Sequence, residues 1–201
     1  MGVTSFSLEL IDKIIDNNNI TNVLELGSQN LFDKDYGTIT PFASTYYESK
    51  GVEYTCIDVG GCNNALNINL AKPVKIDKIF DLVTDFGTSE HIEVKSKHNV
   101  TAFYNCLKTK HNLTKENGFI ISENPKTGNW RGHGYNYYST DFYTQLAKLN
   151  NYAILELGEH PAMGNSTDGW NVYCVMKKVN NKPFMTLAAF KELPIYDSWI
   201  L

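Results

Sequence analysis

Apolar residues recur at helical spacing from the start of the chain (Phe6, Leu10, Ile11, Ile14, Ile15), and the pattern stops at Asn17-Asn18-Asn19. Positions three and four apart share one face of an α-helix, so the first element is an amphipathic helix. The period then changes. Short apolar runs cover 22–26, 53–58, 65–70, 80–85 and 119–123, bounded by turn formers such as Gly60-Gly61, Pro73 and Asn117-Gly118. Runs of this length, rich in β-branched and aromatic residues, read as buried strands. Helical pattern returns at about 42–49, at 94–107 with Val100, Phe103, Tyr104 and Leu107 on one face, and from a cap at Ser139 or Thr140 to about Leu149. Strands alternating with helices predict a parallel sheet covered on both faces. The last two runs, 152–158 and 170–177, are joined by a polar loop without helical period, which predicts a C-terminal antiparallel hairpin. The expected fold is α/β, a doubly wound seven-stranded Rossmann-like sheet. It fills 1–180 as one domain, and 181–201 forms an apolar tail (Phe184, Leu187, Phe190, Ile195, Trp199) packed on the domain or at an oligomer contact.

Composition narrows the partners. A net charge of −4, with 18 Lys and Arg scattered along 201 residues, argues against a nucleic-acid surface. The densest basic group, Lys108, Lys110 and Lys115, reads as a solvated helix end, and His98 and His111 read as helix-surface residues. Four cysteines without C-x-x-C spacing signal neither zinc nor a redox pair, and Cys56, Cys106 and Cys174 lie in apolar runs as small core residues. No run is long enough to cross a membrane and no secretory leader is recognisable, so the expected location is cytoplasmic.

The chemistry concentrates at the carboxyl ends of the strands, where doubly wound sheets bind ligands. Val23-Leu24-Glu25-Leu26-Gly27 ends a strand in a residue without Cβ, which lets a ligand approach the backbone closely. Asp58, at the tip of the next strand, is placed to accept from a ribose diol. A dinucleotide enzyme would need G-x-G-x-x-G to seat a diphosphate on a helix N-terminus. Gly27 is followed instead by Ser28-Gln29-Asn30-Leu31-Phe32, and Glu25 would repel an anion. A cationic sulfonium with a free amino group suits that carboxylate.

These residues resemble the class I S-adenosylmethionine-dependent methyltransferases over about 20–178. Hydrophobic-Leu24-Glu25-Leu26-Gly27 is similar to that family's first motif, Asp58 to its ribose-binding acid, Phe80-Asp81-Leu82-Val83-Thr84 to its fourth-strand motif, and 113–120 to its entry into strand five. The resemblance implies S-adenosyl-L-methionine as cofactor. It places Glu25, Gly27, Ser28 and Gln29 at the methionine end, Asp58 and Val59 at the ribose, Asn69 and Leu70 at the adenine, and Asp85 and Phe86 at the end of strand four. Gln29 departs from the family's second glycine, and Asn69 stands where many relatives carry an acid.

For the acceptor side, His91 in Glu90-His91-Ile92 is the first candidate for a base, in a segment similar to the E-H-hydrophobic stretch of many small-molecule methyltransferases. His133 is the second, in a loop of Trp130, Arg131, Tyr135, Asn136 and Tyr137 suited to gripping a polar ring such as a sugar. His160 is a weaker candidate for the same cleft. Asp85, His91 and Glu123 match the acidic metal set of catechol-type methyltransferases only loosely, and no metal is expected. The function expected is methyl transfer to a small or glycan-type acceptor, most simply at oxygen. The alternative is a catalytically degenerate binding or scaffold protein on the same fold.

Overall fold

The computed structural model describes residues 2–32, 39–60, 64–94, 100–162, 169–194 and 196–197. Helix α1 (Ser5–Asn17) opens on a capping box in which Thr4 and Ser7 satisfy each other's backbone N–H groups. Its apolar stripe buries Leu10, Ile11 and Ile14. Strand β1 (Asn22–Leu26) follows. A small antiparallel ribbon, β2 (Asn30–Phe32) with β3 (Ile39–Phe42), takes up the long connection before α2 (Ala43–Ser49) and β4 (Glu53–Ile57). Next come β5 (Phe80–Phe86), a 3-10 turn at Ser89–His91, α3 (Thr101–Leu113) and β6 (Thr114–Pro125). Then follow β7 (Asn136–Tyr137), α4 (Thr140–Asn150), β8 (Tyr152–Pro161), β9 (Trp170–Lys178), α5 (Leu187–Lys191) and β10 (Tyr196–Asp197).

Six strands form the main sheet, in the order β4-β1-β5-β6-β9-β8. β4, β1, β5 and β6 run parallel, whereas β9 pairs antiparallel with β6 and β8 antiparallel with β9. Strand order reverses at β1, whose neighbours β4 and β5 both follow it in the chain on opposite sides. That is the switch point at which a doubly wound sheet opens a crevice.

Period-two alternation sends the two faces of β1 to different layers. Val23 joins Leu10, Ile11, Ile14 and Tyr47 under α1 and α2, while Leu24 and Leu26 join Ile57, Val83, Cys106 and Leu113 under α3. A third cluster packs Phe103, Phe142 and Phe190 with Tyr138, Cys174 and Met176, between α3, α4, α5 and the antiparallel strands. Residues after β9 contribute to it: Phe184, Met185, Phe190 and Leu193 are buried, and the Tyr104 hydroxyl donates to the Met185 carbonyl at 2.9 Å. Cys56, Cys106 and Cys174 are buried and form no disulfide with one another. Cys62, Ile195 and Trp199 lie outside the described residues.

Several sequence expectations need correction. The seventh strand, expected over 65–70, is reduced to one bridge between Ile57 and Leu66. The chain then turns, with Asn69 Oδ1 accepting from the Ala71 N–H at 2.9 Å, before Pro73 could extend any pairing. The helix expected over 94–107 is Thr101–Leu113, because its inward face continues through Cys106 and Leu107 to Lys110 and Leu113. Lys110 is therefore not solvated. It is buried, donating to Asp85 Oδ2 at 2.8 Å and to Ser122 Oγ at 2.6 Å. His111 is not on the helix surface either: its ring bonds the Tyr152 hydroxyl at 2.7 Å and the Lys182 carbonyl at 2.9 Å. The strand expected over 119–123 is β6, which starts at Thr114 and includes a register irregularity, with Asn117 at a positive φ of 64°.

Candidate active site

A cavity of about 350 Å³ opens at the carboxyl ends of β1 and β4, large enough for a nucleoside-sized ligand. Gly27, Asp58, Val59, Asn69, Leu70 and His91 line it, so the structure gathers six of the residues singled out from the sequence. It adds Ile57, Ile68, Ala71, Thr88, Ile92 and Glu93. Ile57, Ile68, Leu70 and Ile92 make the walls apolar. The charged lining residues, Asp58 and Glu93, are both acids, an arrangement that favours a cationic ligand over a diphosphate.

Gly27 has φ +78°, and a Cβ there would collide with the Thr88 hydroxyl and lie 2.8 Å from the Gln29 amide nitrogen. Thr88 Oγ1 donates to the Leu26 carbonyl at 2.7 Å and accepts from Gln29 Nε2 at 3.0 Å, tying the end of β1 to the turn after β5. Gln29 is buried and belongs to this brace. Asp58 is half-buried: one carboxylate oxygen accepts from the Ser28 N–H at 3.0 Å and the other from the Gly60 N–H at 2.6 Å. Two backbone donors fix its rotamer and leave lone pairs for a diol. Asn69 is exposed; its oxygen retains one lone pair after the bond to Ala71.

Three sequence candidates lie elsewhere. Glu25 has the same strand parity as Val23, so its side chain enters the layer under α2 and not the cavity. It is fully buried. Its Oε2 accepts from the Tyr54 hydroxyl at 2.6 Å and the Gln29 N–H at 3.3 Å, while Oε1 has no partner. Burial pushes its pKa up to about 8 against those two bonds. Asp85 is sealed behind the 3-10 turn, held by Lys110 and by the Ser89 N–H and hydroxyl. Despite full burial these partners keep its carboxyl below the usual range, with Lys110 the strongest of them. Phe86 is a core residue of the α1 layer.

His91 and His133 do come together, with ring centroids 5.1 Å apart. Between them lies the fully buried Glu90, whose Oε1 is 3.6 Å from His91 Nε2 and 3.8 Å from His133 Nε2. Glu90 Oε2 accepts from Asn124 Nδ2 at 3.2 Å, and Asn124 in turn accepts from the Tyr143 hydroxyl at 2.7 Å. The loop after β6 is clamped onto this turn: Tyr135 N–H donates to the Glu90 carbonyl at 2.7 Å, and Asn136 Nδ2 to the Ser89 and Ile92 carbonyls. Gly134 permits the approach, since a Cβ there would be 3.0 Å from the Glu90 carbonyl oxygen. His160 bonds Glu123 at 3.1 Å, packs against Phe6 and Tyr173, and is not part of this cluster. The sequence showed Glu90 only as a neighbour of His91; its burial between two imidazoles depends on the docked loop.

No protein-family model matches the chain, and no curated protein matches it in sequence. Solved structures match its fold. N-methyltransferase NodS from Bradyrhizobium japonicum WM9, in complex with S-adenosylhomocysteine, superposes with a TM-score of 0.61 at 15% identity, covering 87% of this chain and 88% of that one. Burkholderia thailandensis 1,6-didemethyltoxoflavin-N1-methyltransferase, with 1,6-didemethyltoxoflavin and S-adenosylhomocysteine bound, gives 0.55 at 12%, covering 80% and 72%. The [4+2]-cyclase SpnF gives 0.55 at 11%, covering 86% and 80%. The chain thus has the fold of the class I S-adenosylmethionine-dependent methyltransferases.

Proposed function

We propose that the protein binds S-adenosyl-L-methionine in the cavity at Gly27 and Asp58 and transfers its methyl group to a small polar acceptor, at oxygen in the simplest case. The observation that carries this reading is the cavity itself. An anchored carboxylate stands at the tip of β4, a glycine with positive φ at the tip of β1, and the lining between them is largely apolar and holds no Lys or Arg. Asp58 would take the ribose hydroxyls, Asn69 and Leu70 the adenine, and the backbone around Gly27 the methionine portion. When bound, the cofactor supplies a methyl group on a sulfonium, already activated toward displacement.

What the chain must add is alignment of the acceptor and exclusion of water, worth up to about 7–11 kcal/mol in ideal intramolecular cases. His91 lines the cavity and His133 is its neighbour, which supports a role for this pair in orienting a hydroxyl and receiving its proton, a contribution of roughly 10²–10⁴-fold. Trp130 and the exposed Tyr135 border the same loop and offer apolar faces to a ring such as a sugar. Turnover is measured as S-adenosylhomocysteine released with a panel of hydroxylated acceptors. His91→Ala and His133→Ala are expected to lose at least about 10²-fold in rate. Full activity in both variants would remove the acceptor role of this pair.

A second reading rests on the brace across Gly27. The Gln29 amide and Thr88 hydroxyl occupy space beside the one flexible glycine of the turn, which suits a methyltransferase-fold binding protein without turnover. It predicts cofactor-independent partner binding and no product release with any acceptor.

A further inference from the structure

Glu90, His91 and His133 offer one carboxylate oxygen and two imidazole nitrogens that all lie within 4.8 Å of one another. Two features separate this group from an ordinary surface cluster. Glu90 is fully buried, yet Oε1, the oxygen facing both rings, has no hydrogen-bond partner, and His133 Nε2 is likewise buried and unpartnered. Such atoms carry a desolvation cost of about 1–3 kcal/mol, more for a charged group, unless something satisfies them. The remaining oxygen of Glu90 is already oriented by Asn124, itself held by Tyr143. A carboxylate with one oxygen fixed from behind and the other bare toward two imidazoles matches a metal ligand with an ordered outer shell.

We infer that Glu90, His91 and His133 bind a divalent transition-metal ion at the mouth of the cavity. Two imidazoles and one carboxylate form a donor set used by zinc with an open fourth position, and by other first-row metals. Ligand atoms about 2.1 Å from a tetrahedral ion are roughly 3.4 Å apart. The two separations from Glu90 Oε1, 3.6 and 3.8 Å, are within a few tenths of that value, and the His91 ring, half exposed, has room to close on the third. His133 is placed from its other side by Trp130, whose ring centroid is 5.0 Å away and whose indole donates to the Trp170 carbonyl. The metal expected to be absent is therefore assigned to residues other than Asp85 and Glu123. Those acids are already occupied, Asp85 by Lys110 and Ser89, Glu123 by Ser7, His160 and Asn171. Resting on the methyl-transfer reading, the open position would hold the acceptor's oxygen and lower its proton affinity next to the methyl donor, and with metal bound His91 and His133 would act as ligands in place of receiving the proton themselves.

The full chain, stripped with a chelator, is titrated with Zn²⁺ by calorimetry and with Co²⁺ by visible absorption. One equivalent of each is expected, with a cobalt spectrum of low coordination number. His91→Ala removes an exposed ligand without opening the core and is expected to weaken Zn²⁺ at least 10-fold, as are Glu90→Gln and His133→Ala. Asn124→Ala, which removes the donor that orients Glu90 without removing a ligand, is expected to cost about 10–100-fold. His160→Ala is expected to bind normally. No uptake by the wild type, or undiminished uptake by His91→Ala and Glu90→Gln together, would overturn the site. A parallel titration with S-adenosyl-L-methionine separates the two proposals: cofactor binding without metal uptake defeats only the metal site, and metal uptake without cofactor binding defeats only the methyl-transfer reading.

Discussion

At the scale of single residues, the site depends on what is missing at Gly27 and on what is paired at Asp58. Gly27→Ala puts a Cβ into the Thr88 hydroxyl at φ +78°, so it must break the Gln29–Thr88 brace or strain the backbone. The expected cost is about 1–3 kcal/mol, read as a lower urea midpoint, and Thr88→Ala in the same chain should recover part of it by clearing the collision. Glu25 and Asp58 show how far sequence alone could go. Both were visible as acids at strand ends, and the Asp58 position emerges directly from the Gly27-to-Asp58 pattern. That Glu25 faces away from the cavity follows from strand parity, which the motif resemblance overrode. Nothing in the sequence distinguished Lys110 from Lys108 and Lys115, because its burial is set by a partner 25 positions away.

At the scale of elements, Lys110 fastens α3 to the end of β5. The pair with Asp85 is almost wholly buried, with side chains 5% and 0% exposed, so removing one partner strands the other in the interior. Lys110→Met should destabilise by about 3–5 kcal/mol, and Lys110→Met with Asp85→Asn by clearly less, measured by chemical denaturation. Order of elements, the parallel strands and the position of the helices were legible because apolar runs and their turn residues carry that information locally. The vestigial strand over 65–70 was not. Its apolar run is adequate, but Asn69 bonds the following backbone and Pro73 denies a donor, so only the Ile57–Leu66 bridge survives. The docking of the 130–138 loop was illegible for a different reason. Its anchors, Asn136 and the backbone of Tyr135, act on carbonyls of the turn at Ser89–His91, a long-range pairing without a period in the sequence.

At the scale of the molecule, two buried groups impose opposite pH dependences. Glu25 has a folded pKa of about 8 against an ordinary 4.5, so the native state holds the extra proton and stability falls as pH rises between those values. His111, lowered to about 4 from 6.5 chiefly by burial, stays neutral in the native state, so stability falls as pH drops from 6.5 toward 4. Below pH 6.5 the two oppose each other; from 6.5 to 8 Glu25 acts without His111. Urea midpoints across that upper window should report a loss of about 2 kcal/mol, which Glu25→Gln abolishes. A flat wild-type profile between pH 6.5 and 8 would show that Glu25 ionises in the native state without cost. Among the described residues no helix is long and apolar enough to cross a membrane.

The cavity at Gly27 and Asp58 is the feature on which methyl transfer stands or falls, and calorimetric titration of the full chain with S-adenosyl-L-methionine addresses it without any knowledge of the acceptor. One cofactor per chain is expected. Asp58→Ala is expected to bind at least about 10-fold more weakly, since a carboxylate hydrogen-bonded to a diol contributes about 1.5–3 kcal/mol per bond. Equal affinity in the two proteins, or no heat of binding in the wild type, would contradict the assignment.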